Sequence, residues 1–249
     1  MIDIHSHILP GVDDGAQDIY DTLEMIRLAE RSGIQAMVAT PHCNIPGGYK
    51  NYFSEKYIEQ MQLVREAVHQ EGIKVNILPG VEAFGTEDLP RLLAEGKIMT
   101  LNQSKYLLME FSFDEDPAFV GYVIEKVAEM KAIPVIAHAE RYEFVRKNPN
   151  LVYQWRKNGY PIQINKGSFQ GKFGRKAEQA AYLLMNHKLV SVVASDAHSP
   201  HVRTPYMADV YEELLEMYPE NYLDMIFKEN PRRICMNEPI LGFQAKKIN

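Results

Sequence analysis

Two histidines one residue apart, His5-Ser6-His7, close the opening run Met1-Ile-Asp-Ile. If that run is a strand, residues i and i+2 point the same way, and the imidazoles stand about 7 Å apart at their Cα atoms. Such a pair can grip a divalent cation, although two structural histidines explain it about as well. The other apolar runs shift the balance. Thr40-Pro41-His42 ends the second, and Pro79-Gly80-Val81-Glu82 follows the third. Glu110 lies inside Tyr106–Phe111, where an unpaired carboxylate is costly. Val135-Ile-Ala-His138 ends the fifth run and Val192-Val-Ala-Ser-Asp196-Ala-His198 the seventh, while Asp14 follows the first in the loop Pro10–Gly15. Together His5, His7, Asp14, His42, Glu82, Glu110, His138, Asp196 and His198 offer more nitrogen and oxygen donors than one ion needs. They suit about two or three divalent ions with carboxylate bridging, and without a cysteine among them Mn, Fe, Zn and Mg are all admissible.

For these groups to meet, the strands must run parallel and bring their carboxyl ends to one rim. The expected strands are Ile2–His5, Gln35–Thr40, Lys74–Leu78, Tyr106–Phe111, Ile133–His138, Pro161–Asn165 and Ser191–Ser195. Amphipathic segments alternate with them. Ile19–Arg31 carries Leu23, Ile26, Leu28 and Ala29 on one stripe. Ser54 is placed to N-cap a helix to about Gln70 with Ile58, Met61, Val64 and Val68 on one face. Further helices are expected at 117–131, 150–158, 174–187, 205–217 and 220–229, with Gly33, Gly72, Gly96 and Gly159 as C-caps. Strands alternating with helices imply an α/β fold with a helix-covered parallel sheet. A distorted (β/α)7 barrel with the metal site at the C-terminal rim collects every strand end better than one open crevice does.

Composition narrows the function. The chain has 249 residues, 46% hydrophobic and 24% charged, enough for one domain spanning 1–249. Two cysteines, Cys43 and Cys235, exclude a disulfide scaffold and fit a reducing compartment. A net charge of −6 leaves no footprint for nucleic acid. The N-terminus lacks the basic and apolar regions of a signal peptide, and no run approaches the ~18 apolar residues of a spanning helix. A cytoplasmic protein without membrane insertion is expected.

Specific runs then resemble a known family: Asp3-Ile-His-Ser-His-Ile-Leu-Pro10, Asp13-Asp-Gly15, Ala39-Thr-Pro-His42, Leu78-Pro-Gly80 with Glu82, Ile136-Ala-His-Ala-Glu-Arg141 and Val193-Ala-Ser-Asp-Ala-His198. In order and spacing they resemble the polymerase and histidinol phosphatase (PHP) superfamily. More narrowly, they resemble its bacterial metal-dependent protein tyrosine phosphatases of capsule and exopolysaccharide operons, the CpsB/YwqE group. Ala139 stands where that family usually has Pro and offers no ligand side chain. The resemblance implies a PHP-type barrel and a three-ion, usually Mn-dependent, site: His5, His7, Glu82 and Asp196 at one ion, Glu82, Glu110 and His138 at the second, Asp14, His42 and His198 at the third. It also implies that Arg141 and Arg203 bind phosphate, a role that suits a permanently charged, bidentate guanidinium. The chemistry expected is phosphomonoester hydrolysis by a metal-bridging hydroxide. The substrate implied is a phosphotyrosine protein, a bacterial tyrosine kinase controlling capsular or exopolysaccharide synthesis.

Two alternatives stand beside it: a small-molecule phosphatase such as a histidinol-phosphate phosphatase, and an inactive kinase-binding module. The filled candidate positions argue against the latter. His42-Cys43 imitates cysteine-dependent tyrosine phosphatases, but Tyr49 stands where their arginine would be required. His201 is a candidate proton donor or an ordinary loop residue. His69 and His187 are expected at the surface. Lys166–Ser168 and Gly171–Gly174 either contact substrate or turn the chain, the turn being the favoured reading. Tyr49, Tyr52 and Phe53 either stack on a substrate ring or serve only their loop.

Overall fold

The computed structural model describes residues 1–248. Its strands are β1 (Ile2–Ser6), β2 (Ala36–Ala39), β3 (His42–Cys43), β4 (Asn76–Pro79), β5 (Glu82–Phe84), β6 (Tyr106–Glu110), β7 (Ile133–Ile136), β8 (Gln163–Asn165) and β9 (Val192–Ala194). All the strand pairings are parallel, in three sheets ordered β1-β2-β4, β3-β5-β6-β7 and β8-β9. Beyond the ends of the expected strands Gln35–Thr40 and Lys74–Leu78 the chain therefore pairs again, in β3 and β5. β2 and β3 flank Thr40-Pro41, and β4 and β5 flank Gly80-Val81. Pro41 has no N–H for a ladder, and across the breaks β2 lies between β1 and β4 while β3 pairs with β5, which continues to β6.

Single bridges join the sheets, Ser6 to Ala197 and Ile136 to Ile162. Neighbour relations thus run from β1 through the broken strands, β6, β7, β8 and β9, and return to β1. The return is reinforced by backbone bonds from Asp196 N–H to His5 O and from His7 N–H to Ala197 O, each 2.9 Å. The expected seven-strand parallel order is present, with two seams held by bridges instead of ladders.

Both strand faces are buried. In β6, Leu107 and Met109 join one apolar cluster while Tyr106 and Leu108 join the other; in β9, Val193 and the pair Val192–Ala194 divide likewise. Two-sided burial explains why these strands read as continuous apolar runs. Glu110 shares the period-two register of Tyr106 and Leu108, and Asp196 that of Val192 and Ala194, so one face turns from apolar to polar at the carboxyl ends of the strands.

The helices are α1 (Ile19–Arg31), α2 (Glu55–Gln70), α3 (Leu89–Ala94), α4 (Pro117–Glu129), α5 (Glu143–Lys147), α6 (Asn150–Lys157), α7 (Lys166–Phe169), α8 (Arg175–Asn186), α9 (Ala208–Leu215), α10 (Glu220–Asp224) and α11 (Asn230–Cys235). The Ser54 side chain caps α2 by accepting from Tyr57 N–H, as its position predicts. Its inner face uses Tyr57, Met61, Val64 and Val68, whereas Ile58 is exposed. Gly33, Gly72, Gly96 and Gly159 take φ of 68–84° just beyond helix ends, and a Cβ at any of them would meet nothing within 4 Å, so conformation alone selects glycine. The last helix does not stop at 229. A π turn, Met225–Glu229, carries it past Pro231 into α11, re-spacing the backbone bonds that proline would break. No helix among the described residues is long and apolar enough to cross a membrane.

Candidate metal centre

The strand-end residues converge. Glu82, fully buried on β5, sits between four imidazoles. Its Oε1 lies 2.9 Å from His138 Nε2 and 3.2 Å from His5 Nε2, and its Oε2 lies 3.1 Å from His42 Nδ1 and 3.3 Å from His7 Nε2. Glu110 at the end of β6 stands 2.7 Å from His42 Nδ1 and 3.7 Å from His138 Nε2. Asp14, on the loop after β1, faces His42 Nε2 at 3.4 Å and His198 Nε2 at 3.5 Å. Donor atoms cluster closely enough for a cation in three groups: His5, His7 and Asp196; His42, Glu82 and Glu110; and His7, Asp14, His42 and His198. All nine expected positions lie in this one cluster. The partition differs from the expected one: His42 also groups with Glu82 and Glu110, with His138 beside that pair, His7 also joins Asp14, His42 and His198, and Glu82 falls outside the group of His5, His7 and Asp196.

Asp196 joins this cluster to the two arginines. Its Oδ1 lies 3.4 Å from His5 Nε2 and 3.5 Å from His7 Nε2. Its Oδ2 accepts from Asn165 Nδ2 at 2.5 Å and lies 2.5 Å from Arg203 Nη2 and 3.7 Å from Arg141 Nη1. One oxygen is thereby tied up by donors while the other faces the imidazoles. Asp14 is half exposed, and Arg141 and Arg203 are partly exposed, so the cluster opens to solvent on their side.

The donor set fits cations on three observations. First, His5 Nε2 and His7 Nε2 lie 3.3 Å apart while their Nδ1 atoms are occupied elsewhere, His5 by Gln163 Oε1 at 3.0 Å and His7 by Asp13 Oδ2 at 2.7 Å. A carboxylate or amide fixing one ring nitrogen so that the other faces inward is the usual setting of a metal-binding imidazole. Second, His138 Nδ1 is buried without a hydrogen-bond partner, and the buried Glu82 Oε2 has only the ring nitrogens of His42 and His7 beside it. Third, the cluster is short of positive charge. Burial disfavours a charged His42, yet hydrogen bonds with Glu110 and Glu82 raise it to about 10; the same two partners overcome burial at His138 and raise it to about 9. Burial likewise opposes ionised Glu82 and Asp196, but attraction to His5 and contacts with the other imidazoles hold both well below the usual carboxylate range. A divalent cation supplies that charge and leaves the imidazoles in their neutral, ligating form. His198 already has that form, because burial and the neighbouring His7 push it down to about 2.

The backbone is unusual here. His138 (φ 34°) and Asp196 (φ 50°) occupy the left-handed region that few non-glycine residues adopt. Such conformations persist where surrounding contacts enforce them and gather at functional sites.

Sequence reasoning did not single out Asp13, Gln163, Asn165 or Phe113, and it reached Phe173 only within the run Gly171–Gly174. Asp13 holds His7 and accepts from the Gly15 and His42 N–H groups, which with attraction to His7 outweigh its burial and lower it to about 2. Gln163 holds His5 and the His138 N–H. Two buried polar residues at i and i+2 in Gln163-Ile-Asn165 were the available signal. Phe113 and Phe173 lie against Arg141.

The remaining candidates separate. His201 is exposed in the turn after His198. His69 is exposed and His187 half-buried, each on its helix or at its end. The Tyr49 ring stacks on His42 at 6.1 Å and 8°, whereas Tyr52 donates to Asn44 and Phe53 packs edge-on to Tyr57. Lys166 is buried and points to Tyr206 O and Asp209. Cys43 is buried, its thiol donates to Lys50 O at 2.9 Å, and burial pushes it up to about 12. A thiol so held is no nucleophile, and Cys43→Ser is expected to leave kcat/KM within about threefold in a phosphatase assay; a loss near 100-fold would restore cysteine chemistry.

Comparison with known proteins agrees with this geometry. The YwqE tyrosine-protein phosphatase of Bacillus subtilis (strain 168) is 37% identical over 247 residues, covering 96% of this chain and 93% of the relative. The CpsB tyrosine-protein phosphatase of Streptococcus pneumoniae is 32% identical over 245 residues, covering 96% and 100%. A solved structure from the pair YwqE of B. subtilis and CpsB of S. pneumoniae, described as unique metal-dependent tyrosine phosphatases, superposes with a TM-score of 0.93 at 34% identity over the whole of both chains. An organophosphorus hydrolase from Deinococcus radiodurans matches at a TM-score of 0.58 and 12% identity over 94% of this chain and 92% of its own, a likeness of fold alone. The family described as "Capsular polysaccharide synthesis, CpsB/CapC" matches residues 1–236, and the chain belongs to that family.

Proposed function

We propose that the protein is a metal-dependent protein tyrosine phosphatase that hydrolyses phosphotyrosine on a bacterial tyrosine kinase governing capsular or exopolysaccharide synthesis. The observation that carries the reading is the meeting of Arg203 and Arg141 on Asp196 Oδ2, while Asp196 Oδ1 faces His5 and His7. A phosphoryl group held by those guanidiniums abuts the cation-binding cluster. The names and metal dependence of the relatives agree with it.

In this reading His5, His7, Asp14, His42, Glu82, Glu110, His138, Asp196 and His198 would hold the divalent cations, manganese being the metal the family resemblance implies. When bound, they supply Lewis acidity and a water acidified toward neutral pH. Arg203, whose Nε is buried without a partner, and Arg141 bind the phosphoryl oxygens and offset charge developing on them. Asp13 and Gln163 hold His7 and His5 in the tautomer that turns Nε2 inward. Asn165 holds Asp196. The leaving phenol has a pKa near 10, easier to expel than an alkoxide, so a strong proton donor is dispensable and the exposed His201 need not serve as one. Residues 1–249 act as one domain, in the cytoplasm.

The test is hydrolysis of a phosphotyrosine peptide against histidinol phosphate by Mn-loaded protein, repeated after chelation. The peptide is expected to turn over, histidinol phosphate to lag by at least about 10²-fold in kcat/KM, and chelation to abolish both. An inert peptide with active histidinol phosphate would favour a small-molecule phosphatase. Turnover that survives complete metal removal would refute the role given to the cluster.

A further inference from the structure

Arg141 has little polar support for a residue assigned to grip phosphate. Its contact with a carboxylate, Nη1 to Asp196 Oδ2, is 3.7 Å long. Its guanidinium instead lies over two aromatic rings, with Cζ 4.3 Å from the Phe113 ring centre and 4.3 Å from that of Phe173. Both distances are well inside the roughly 6 Å range over which a cation is drawn to a ring face. Phe173 also lies 5.5 Å from Arg203 Cζ, so one ring touches both arginines.

The rings come from different loops, and each is anchored. Phe113 lies beyond β6. Its carbonyl accepts from Glu143 N–H at 2.8 Å, two residues past Arg141, and its ring meets His138 edge-on at 5.6 Å. Phe173 lies in the turn after α7, bracketed by Gly171 and Gly174 at φ 69° and 86°. Its ring rests on Gly167, where an added Cβ would come within 3.0 Å of Cε2. Phe113 is 40% exposed, so burial alone does not account for an aromatic residue at this position.

A guanidinium keeps all its N–H donors in one plane, and a phosphate accepts from it in that plane. Two rings held against the guanidinium restrict the orientation of that plane. They also limit the rotamers a long side chain would otherwise sample. We propose that Phe113 and Phe173 are positioning residues that clamp Arg141 so that its donor edge is presented to the phosphoryl group beside Asp196. This rests on Arg141 binding phosphate and adds to that reading the two residues that orient it.

The experiment measures binding of inorganic phosphate to the metal-loaded protein by calorimetry, with metal content and peptide kinetics determined for each variant. Phe113→Leu and Phe173→Leu keep apolar bulk without a ring face; Phe113→Tyr and Phe173→Tyr keep the face. Each leucine variant is expected to weaken phosphate binding about three- to tenfold, with KM for a phosphotyrosine peptide rising more than kcat falls, and the tyrosine variants should restore both. In an Arg141→Ala background, Phe113→Leu should have no further effect, because the group it positions is gone. If Arg141→Ala leaves phosphate binding unchanged, the phosphate-binding reading itself fails. If Arg141→Ala weakens binding and Phe113→Leu adds its full effect on top, the clamp is overturned while that reading stands. Loss of metal in the leucine variants, or an effect confined to aryl substrates with inorganic phosphate binding intact, would also overturn it.

Discussion

Asp196→Asn is expected to lower kcat/KM for a phosphotyrosine peptide by more than about 10³-fold and to reduce the metal held by the folded protein. The size follows from the two jobs of one carboxylate. Oδ1 faces His5 and His7, and Oδ2 holds Arg203 and Asn165. Losing a residue that merely supports a ligand costs roughly 10–100-fold in metal affinity or activity. Losing a ligand exceeds that, and misplacing a group that offsets transition-state charge adds about 10²–10³-fold. Asparagine is the informative replacement because it keeps the shape and tolerates the φ of 50° at this position. Alanine would add backbone strain to the lost charge. His5→Ala removes a donor from the same group without touching the arginines, so it should lose metal similarly. Metal analysis of the folded variants, by mass spectrometry beside a thermal melt, separates lost binding from lost structure. Full metal content with activity within about tenfold of the parent would remove Asp196 from the site.

The chemistry of Asp196 was legible in the sequence because it lies at the carboxyl end of a short apolar strand, where the parallel fold sends every such residue to one rim. The same logic sent the other eight candidate donors to that rim, and the structure brings them together there. It missed Gln163 and Asn165, since amides bear no charge and an i, i+2 pair of them reads as an ordinary exposed edge until burial is known. It missed Asp13 because adjacent Asp14 explains an Asp-Asp-Gly turn equally well. The breaks at Thr40-Pro41 and Gly80-Val81 were not foreseen either. Each falls where a strand changes neighbours, a property of the sheet that no local pattern encodes. Phe173 lay unused in a glycine-flanked turn, although those glycines let the ring reach Arg141. The partition of donors among cations depends on which nitrogen each imidazole turns inward. Here His42 faces Glu82 and Glu110 with Nδ1 and Asp14 with Nε2, a choice made by tertiary contacts.

Gly15→Ala should weaken metal binding by at least about 10–100-fold through a single methyl group. A Cβ on Gly15 would stand 2.2 Å from His7 O and 2.4 Å from His7 Cβ, mostly backbone that cannot swing aside. The turn after β1 would have to lift from the strand end, yet Ala16 N–H donates to that same His7 O at 3.0 Å and Gly15 N–H to Asp13 Oδ1 at 3.0 Å. Lifting it draws Asp13 from His7 Nδ1 and moves Asp14 from its place between His42 and His198. Overpacking of this kind costs about 1–3 kcal/mol, or a fall in Tm of roughly 2–4 °C per kcal/mol for a chain of this size. The metal defect should be the larger effect, at least about 10–100-fold, because one substitution displaces both a ligand and the carboxylate that orients another. Gly33→Ala is the matched control. Its φ of 81° makes alanine unfavourable, but no atom lies within 4 Å of the new Cβ, so it should lower Tm by a similar amount and leave metal affinity unchanged. Titration of metal into both apo variants, each checked by its melting curve, decides the matter: parental affinity in Gly15→Ala would show that the turn carrying Asp13 and Asp14 does not depend on its close approach to His7.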